Sequence, residues 1–112
     1  MFGLVIHGGA GLRSPETFDA EREKEARLAL QQILETGHRL LCDNATALDV
    51  VTKMVSMMED SPMFNAGHGA VLASDGQCYF DASIMDGASE EIGAVAGVQG
   101  VQNPIQLAQK VM

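Results

Sequence analysis

Residues 62–87 read PMFNAGHGAVLASDGQCYFDASIMDG, and the rest of the chain is organised around them. The loop Asn65–Gly69 places one amide side chain among small residues, directly before an apolar run. A Ser-Asp-Gly sequence at 74–76 separates the runs 70–73 and 77–80, and Asp-Gly is a strong hairpin signal. The stretch predicts a β-hairpin preceded by a tight loop that is a candidate site.

Two helices are predicted upstream of this stretch. Ser14-Pro15-Glu16 supplies an N-cap, a proline at the first helical position and an acid in the first turn, and Thr36-Gly37 ends the helix. Asp43-Asn44 is the next start signal, and Pro62 prevents the second helix from continuing. The second helix carries an apolar stripe formed by Leu48, Val51, Met54, Val55, Met57 and Met58.

The two ends of the chain add strands and a helix. Leu4-Val5-Ile6 predicts a buried strand that enters the glycine loop His7–Gly11, and Gly93–Val98 predicts a strand buried on both faces. Asn103-Pro104 begins a last helix, which has barely two turns when the sequence stops. The order β-α-α-β-β-β-α favours a layered α+β fold, and we expect residues 1–112 to be one truncated, partial domain.

Composition excludes several classes of function. The 112 residues suffice for one domain, and seven Lys and Arg against fifteen Asp and Glu give a net charge of −8. No basic cluster is present to neutralise phosphates, so no nucleic-acid partner is expected. Cys42 and Cys78 do not make a disulfide framework, and the N-terminal apolar run is too short for a signal peptide or membrane span. We expect a cytoplasmic protein without a membrane partner.

The two glycine loops leave alternatives open. His7–Gly11 is neither a P-loop nor a dinucleotide fingerprint, and it resembles the HGGG oxyanion loop of esterases. No serine lies in the G-x-S-x-G elbow which that fold requires, so a tight turn is an equal reading. Asn65 has an amide that can donate to a developing oxyanion, although the local sequence favours an Asx turn to its own backbone.

Other chemistry-bearing residues give weaker signals. Asp81 and Asp86 are either an acid and base pair or turn and cap residues, and the second reading is preferred. The three histidines and two cysteines match no metal-ligand spacing: His7, His38, His68, Cys42 and Cys78. No activated nucleophile is visible, because every threonine lies in or at the end of a predicted helix: Thr17, Thr36, Thr46 and Thr52.

Five segments, taken in order, carry a resemblance to a known family. They are VIHGGAG at 5–11, SPMFNAGHGAVL at 61–72, DASIMDG at 81–87, GAVAGV at 93–98 and NPIQLAQKVM at 103–112. The chain resembles the N-terminal part of plant-type asparaginases and isoaspartyl peptidases. The resemblance implies an N-terminal-nucleophile hydrolase with a four-layer αββα sandwich, in which self-cleavage frees a threonine that attacks L-asparagine or β-aspartyl dipeptides.

The resemblance also implies a division of the site. The nucleophilic threonine and the substrate-binding residues lie beyond Met112, and Asn65 is a supporting residue near that nucleophile. No organic cofactor is implied, but a structural sodium ion is, bound by the main-chain carbonyls of Met58, Glu59, Ser61, Phe64, Ala66 and His68.

The partners implied are a missing β-subunit or C-terminal half, a homo-oligomeric complete enzyme and a small-molecule substrate. This chain alone is then inactive. The alternative is a non-catalytic binding or interaction remnant of the same fold.

Overall fold

The computed structural model describes residues 1–10 and 19–112. In this part of the chain the elements are three helices and two strands: α1 Ala20–Cys42, α2 Ala47–Asp60, β1 Phe80–Met85, β2 Ile92–Val98 and α3 Pro104–Val111. The strands pair antiparallel, with Ser83 opposite Ala94. Helix α3 packs on this sheet, and α2 contacts both α3 and α1. The arrangement is a small α+β domain, as the sequence predicts at that level.

Helix α2 is central because it contributes to two apolar clusters. The first contains Ile33, Val50, Met54, Met58 and Phe64, and the second contains Ile84, Ile105 and Ala108 with Leu48 and Val55 packed against it. A helix covered on two sides buries more than one stripe. The predicted stripe is therefore partly wrong, because it omits Val50, which is 1% exposed, and includes Val51, which is 39% exposed.

The predicted end of the first helix is wrong. Gly37 is buried inside α1, where an added Cβ would collide with the Met54 sulphur and lie 2.9 Å from Leu4 Cδ2. The missing side chain lets α1 and α2 approach closely, and it does not serve as a C-cap. Within the described residues no helix has the length and hydropathy to cross a bilayer.

The helix boundaries around residues 42–47 also differ from the prediction. Asp43 is the C-cap of α1, and Asn44 takes a left-handed φ of 65°, so this pair closes one helix and does not begin the next. Thr46 is the N-cap of α2, and its hydroxyl accepts the Asp49 N–H at 3.1 Å. At its other end α2 stops at Asp60, which confirms the stop signal of Pro62.

Helix α1 begins at a cap that the sequence reading overlooked. The Asp19 side chain accepts the Glu21 N–H at 3.0 Å. The predicted start at 14–16 lies outside the described residues.

The N-terminal strand prediction is not met in the described residues. Leu4 and Ile6 pack against the first cluster while Val5 is 89% exposed, so the side chains alternate as in a strand. None of the three residues makes a backbone hydrogen bond within residues 1–10 and 19–112. A strand is defined by its ladder, so an extended segment without a partner is not one.

Only the turn of the predicted hairpin at 70–80 is formed. Gly76 has φ 79°, and hydrogen bonds join Gly76 N to Ala73 O at 2.9 Å and Ala73 N to Gln77 O at 2.8 Å. The residues before this turn form no strand, and the ladder begins only at Phe80. The observed hairpin joins β1 to β2 through residues 86–91. Strand β1 has an apolar face to bury, because Ala82 and Ile84 pack in the same cluster as Ile105 and Ala108 of α3.

Strand β2 is covered on one face only, which corrects the prediction of burial on both. Gly93 is buried under α3, where an added Cβ would meet the Ala108 carbonyl oxygen and lie 2.8 Å from Met112 Cβ. On the opposite face Ile92 is 62% exposed, and Ala94 and Ala96 are exposed.

Gly93→Ala is expected to lower the free energy of unfolding by about 2 kcal/mol or more, because α3 must move away from the sheet to admit the methyl group. Chemical denaturation of the chain measures this loss. Gly87→Ala is the matched control, since nothing lies within 4 Å of the added Cβ. Equal stability of the two variants would contradict close packing between Gly93 and α3.

Candidate active site

The two glycine loops meet at one aromatic ring. A Cβ added at Gly8 would lie 3.1 Å from Phe64 Cε1 and 3.3 Å from Leu30 Cδ2. Phe64 is 7% exposed and belongs to the first cluster, whereas the next residue, Asn65, is exposed. The buried ring therefore anchors the loop whose following residue faces solvent. The sequence predicts both loops but not their contact.

The N-terminal loop forms a local turn. Gly9 has φ 110°, and its N–H donates to His7 Nδ1 at 3.1 Å. This N–H is thus engaged within the loop, and Gly8 allows close packing on Phe64. Both observations favour the tight-turn reading over the esterase-like oxyanion loop. Gly11, the last glycine of the predicted loop, lies outside the described residues.

The Asn65 side chain is exposed. Among the described residues its side chain makes no hydrogen bond, so the Asx turn that the local sequence favours is not formed. The nearby turn is closed by another side chain, since Ser61 Oγ accepts the Met63 N–H at 3.2 Å. An exposed amide can donate two hydrogen bonds and accept others, which is the chemistry needed to contact a polar ligand.

Glu59 holds the base of the Asn65 loop. Its carbonyl accepts the His68 N–H at 2.7 Å, and Gly67 lies so close to that carbonyl oxygen that no Cβ would fit. Its side chain is 3% exposed, and Oε1 accepts the Ile105 N–H at 2.9 Å. Burial raises the pKa of the Glu59 carboxyl above its ordinary value, and the hydrogen bond from Ile105 opposes that shift.

A second acid joins the same two helices at the surface. Asp60 Oδ1 accepts from Gln102 Nε2 at 3.0 Å and from Asn103 Nδ2 at 3.1 Å, and these bonds lower the pKa of the Asp60 carboxyl. Asn103 is the N-cap residue of α3, as predicted, but its side chain makes no capping bond to that helix. The Asn103 side-chain amide donates instead to two oxygen atoms of α2, the Ser56 carbonyl oxygen and Asp60 Oδ1.

The six carbonyls implied for sodium all lie in one short stretch between the end of α2 and His68. Those of Met58, Glu59 and Ser61 each accept one backbone N–H, from Ser61, His68 and Phe64 respectively. A carbonyl oxygen has two lone pairs, so these bonds do not prevent coordination. The Phe64 carbonyl lies against Gly69, where an added Cβ would collide with it. Main-chain carbonyl oxygens are the type of ligand that a hard cation such as sodium prefers.

The remaining candidate residues have structural partners. Asp81 Oδ1 accepts the Gly97 N–H at 2.8 Å across the sheet, and Asp86 Oδ1 accepts the Ala88 N–H at 3.1 Å. Both carboxylates are structural, but only Asp86 is a turn residue as the preferred reading states, since Asp81 lies within β1. Within the described residues no three His, Cys, Asp or Glu side chains converge as metal ligands.

The threonines of the described chain are not placed as free nucleophiles. Thr46 caps α2 and donates to Asp49 Oδ2 at 2.7 Å, Thr52 is 9% exposed inside α2, and Thr36 lies within α1. Thr17 lies outside the described residues.

Sequence reasoning missed the Glu59 side chain. Glu59 lines a shallow pocket of about 350 Å³ together with Asp60, Gly67, His68, Phe80, Val101 and Gln102. A signal was present, because Glu59 follows Val55 by four residues and so falls on an apolar side of α2. An acid at such a position indicates a buried partner, but the partner, Ile105, is 46 residues away.

The comparisons with known proteins agree on one family. The whole chain, residues 1–112, matches a family described as asparaginase. Similar proteins include an isoaspartyl peptidase of Escherichia coli, 44% identical over 97% of this chain and 34% of its own length. A plant-type L-asparaginase of Pyrococcus furiosus is 44% identical over 100% of this chain and 35% of its own. A probable isoaspartyl peptidase/L-asparaginase of Arabidopsis thaliana is 40% identical over 99% of this chain and 34% of its own length. The chain spans about a third of the length of these curated relatives.

Phe64→Ala is expected to lower the free energy of unfolding by about 3 kcal/mol or more, because it empties the contact between the two glycine loops. Thermal or urea denaturation measures the loss. Phe2→Ala is the control, since Phe2 is 47% exposed and its removal should cost less than about 1 kcal/mol. Losses of the same size at the two positions would contradict the anchoring role of Phe64.

Proposed function

We propose, from the premise that this chain belongs to the asparaginase family, that it is the N-terminal part of a hydrolase. The enzyme would cleave the side-chain amide of L-asparagine and the isopeptide bond of β-aspartyl dipeptides, which the names of the relatives suggest. The observation that carries this proposal is the exposed Asn65, which follows directly on Phe64, the buried ring that the N-terminal glycine loop contacts.

The complete fold we propose is a four-layer αββα sandwich, of which residues 1–112 are a partial domain. The packing of helices on one face of the β1–β2 sheet supports this proposal. The opposite face supports it as well, because among the described residues it is uncovered and carries apolar side chains: Met85 is 55% exposed and Ile92 is 62% exposed, beside small residues. A flat face of that composition suits packing against a second sheet.

The reaction we propose uses a nucleophile from outside this chain. A threonine freed at a new N-terminus attacks the substrate's side-chain carbonyl, and its own amine takes the hydroxyl proton. Collapse of the tetrahedral intermediate releases ammonia or an amino acid, and water then hydrolyses the ester to give aspartate. The commitment of Thr46 to a cap and the burial of Thr52 support an external nucleophile. Asn65 would donate a hydrogen bond beside that nucleophile.

The main-chain carbonyls of Met58, Glu59, Ser61, Phe64, Ala66 and His68 would hold a sodium ion. A bound cation would add fixed positive charge and rigidity to the loop that carries Asn65. For the complete protein we propose a homo-oligomer. We also propose that it is cytoplasmic, and the free thiols of Cys42 and Cys78 support that location.

A hybrid enzyme tests the function. This chain would replace the corresponding N-terminal third of the Escherichia coli isoaspartyl peptidase, and release of leucine from β-aspartyl-leucine would be measured. We expect turnover by the hybrid and none by the 112-residue chain alone, because the nucleophile lies in the other part. Turnover by the isolated chain would contradict the external nucleophile. A folded, self-cleaved hybrid without turnover would favour the non-catalytic alternative.

Asn65→Ala in the hybrid is expected to lower kcat by about a hundredfold, the usual effect of removing one oxyanion-type donor. Gln32→Ala, an exposed amide on α1, is the control and should leave kcat unchanged. Steady-state kinetics with β-aspartyl-leucine give the comparison. If Asn65→Ala changes kcat no more than Gln32→Ala does, Asn65 has no part in the reaction.

A further inference from the structure

The start of helix α3 depends on a residue from another helix. Pro104 has no N–H, and the Asn103 side chain at the N-cap position donates to Ser56 O at 3.4 Å and to Asp60 Oδ1 at 3.1 Å. The first free N–H of the helix is that of Ile105, which is buried. Its acceptor is Glu59 Oε1 at 2.9 Å. A carboxylate at a helix N-terminus also interacts favourably with the helix dipole.

The same residue closes the loop that presents Asn65. The Glu59 carbonyl accepts the His68 N–H at 2.7 Å, so the two ends of the segment 59–68 are joined, with Asn65 between them. Gly67 packs directly against that carbonyl oxygen, because a Cβ at this position would collide with it. A displacement of the Glu59 backbone is therefore expected to displace the loop.

Using a carboxylate to cap a helix at this position requires burying a polar, ionisable group, which costs free energy. Glu59 is 3% exposed, and Oε2 is buried with no hydrogen-bond partner among the described residues. An Asn side chain already stands at the N-cap position and could cap α3 without burying an acid. What the Glu59 carboxylate adds is a fixed point that ties the last turn of α2, and the loop after it, to α3.

We propose that the Glu59 side chain is a positioning residue for Asn65. Its hydrogen bond to Ile105 fixes the Glu59 backbone against α3, and the Glu59 carbonyl then fixes the loop through His68. The link to catalysis rests on the function proposed above. The link between α3 and the loop does not, and it is measured separately.

Amide hydrogen exchange in the chain tests the structural link. With Glu59→Leu we expect exchange at Ile105 and also at His68 to become faster by about tenfold or more, as local opening becomes easier. Asp60→Ala is the matched control. It removes the acceptor of the bonds from Gln102 and Asn103, which join the end of α2 to the residues just before α3, and it should leave exchange at His68 unchanged. Glu59→Gln keeps an acceptor oxygen and should stay within about threefold of the parent at both amides. Faster exchange at Ile105 alone would overturn the proposal and leave Glu59 as a simple cap.

A double-mutant cycle in the hybrid tests the link to catalysis. Glu59→Leu should lower kcat by about tenfold to a hundredfold with KM unchanged, because a misplaced donor weakens only the transition state. When Asn65 is already alanine, adding Glu59→Leu should lower kcat by a further factor of less than about two, since Glu59 acts through Asn65. Glu59→Gln should restore kcat.

Additive losses at Glu59 and Asn65, or equal losses for Glu59→Leu and Glu59→Gln, would overturn the positioning role while leaving the proposed function intact. A parent hybrid without turnover would instead remove the proposed function, and the exchange measurement would still decide the structural link.

Discussion

The last turn of α2 carries the constraint on which the rest of the structure depends. One buried carboxylate, that of Glu59, must find a hydrogen-bond donor, and the N-terminus of α3 supplies it through the Ile105 N–H at 2.9 Å. An unpaired buried carboxylate would be strongly unfavourable, so this contact fixes how α2 and α3 meet. Because the same residue's carbonyl holds His68, the contact also fixes the loop that presents Asn65.

Close backbone approach is the second constraint, and glycines provide it. Gly37 lets α1 approach Met54 of α2, Gly93 lets the sheet approach α3, and Gly67 lets the loop fold back on Glu59. In each case a side chain would collide with its neighbour. A fourth glycine, Gly8, lets the N-terminal loop pack on Phe64, and the next residue, Asn65, is exposed.

Local signals in the sequence correctly predicted some helix ends and one turn. They failed where a contact with a distant part of the chain determines the structure. Pro62 and Asn103-Pro104 correctly marked the end of α2 and the start of α3, and Gly76 marked a real turn. Gly37 was misread because a buried glycine and a capping glycine look alike in sequence. Their difference lies in a partner, Met54, that belongs to another helix.

The candidate site divides in the same way. Asn65 was recognised as an unusual amide in a tight loop, and the five segments in order identified the family, which the comparisons confirm. The contact between the two loops and the role of Glu59 could not be predicted. Each depends on residues far apart in the chain, Gly8 with Phe64 and Glu59 with Ile105.

The central claim is that this chain presents Asn65 to a nucleophile that another part of the protein supplies. A crystal structure of the complete protein with aspartate bound tests it most directly. The account predicts the Asn65 Nδ2 atom at hydrogen-bond distance, about 3 Å, from the threonine hydroxyl or the bound ligand. An Asn65 side chain that contacts only solvent, on a loop turned away from the ligand, would contradict it.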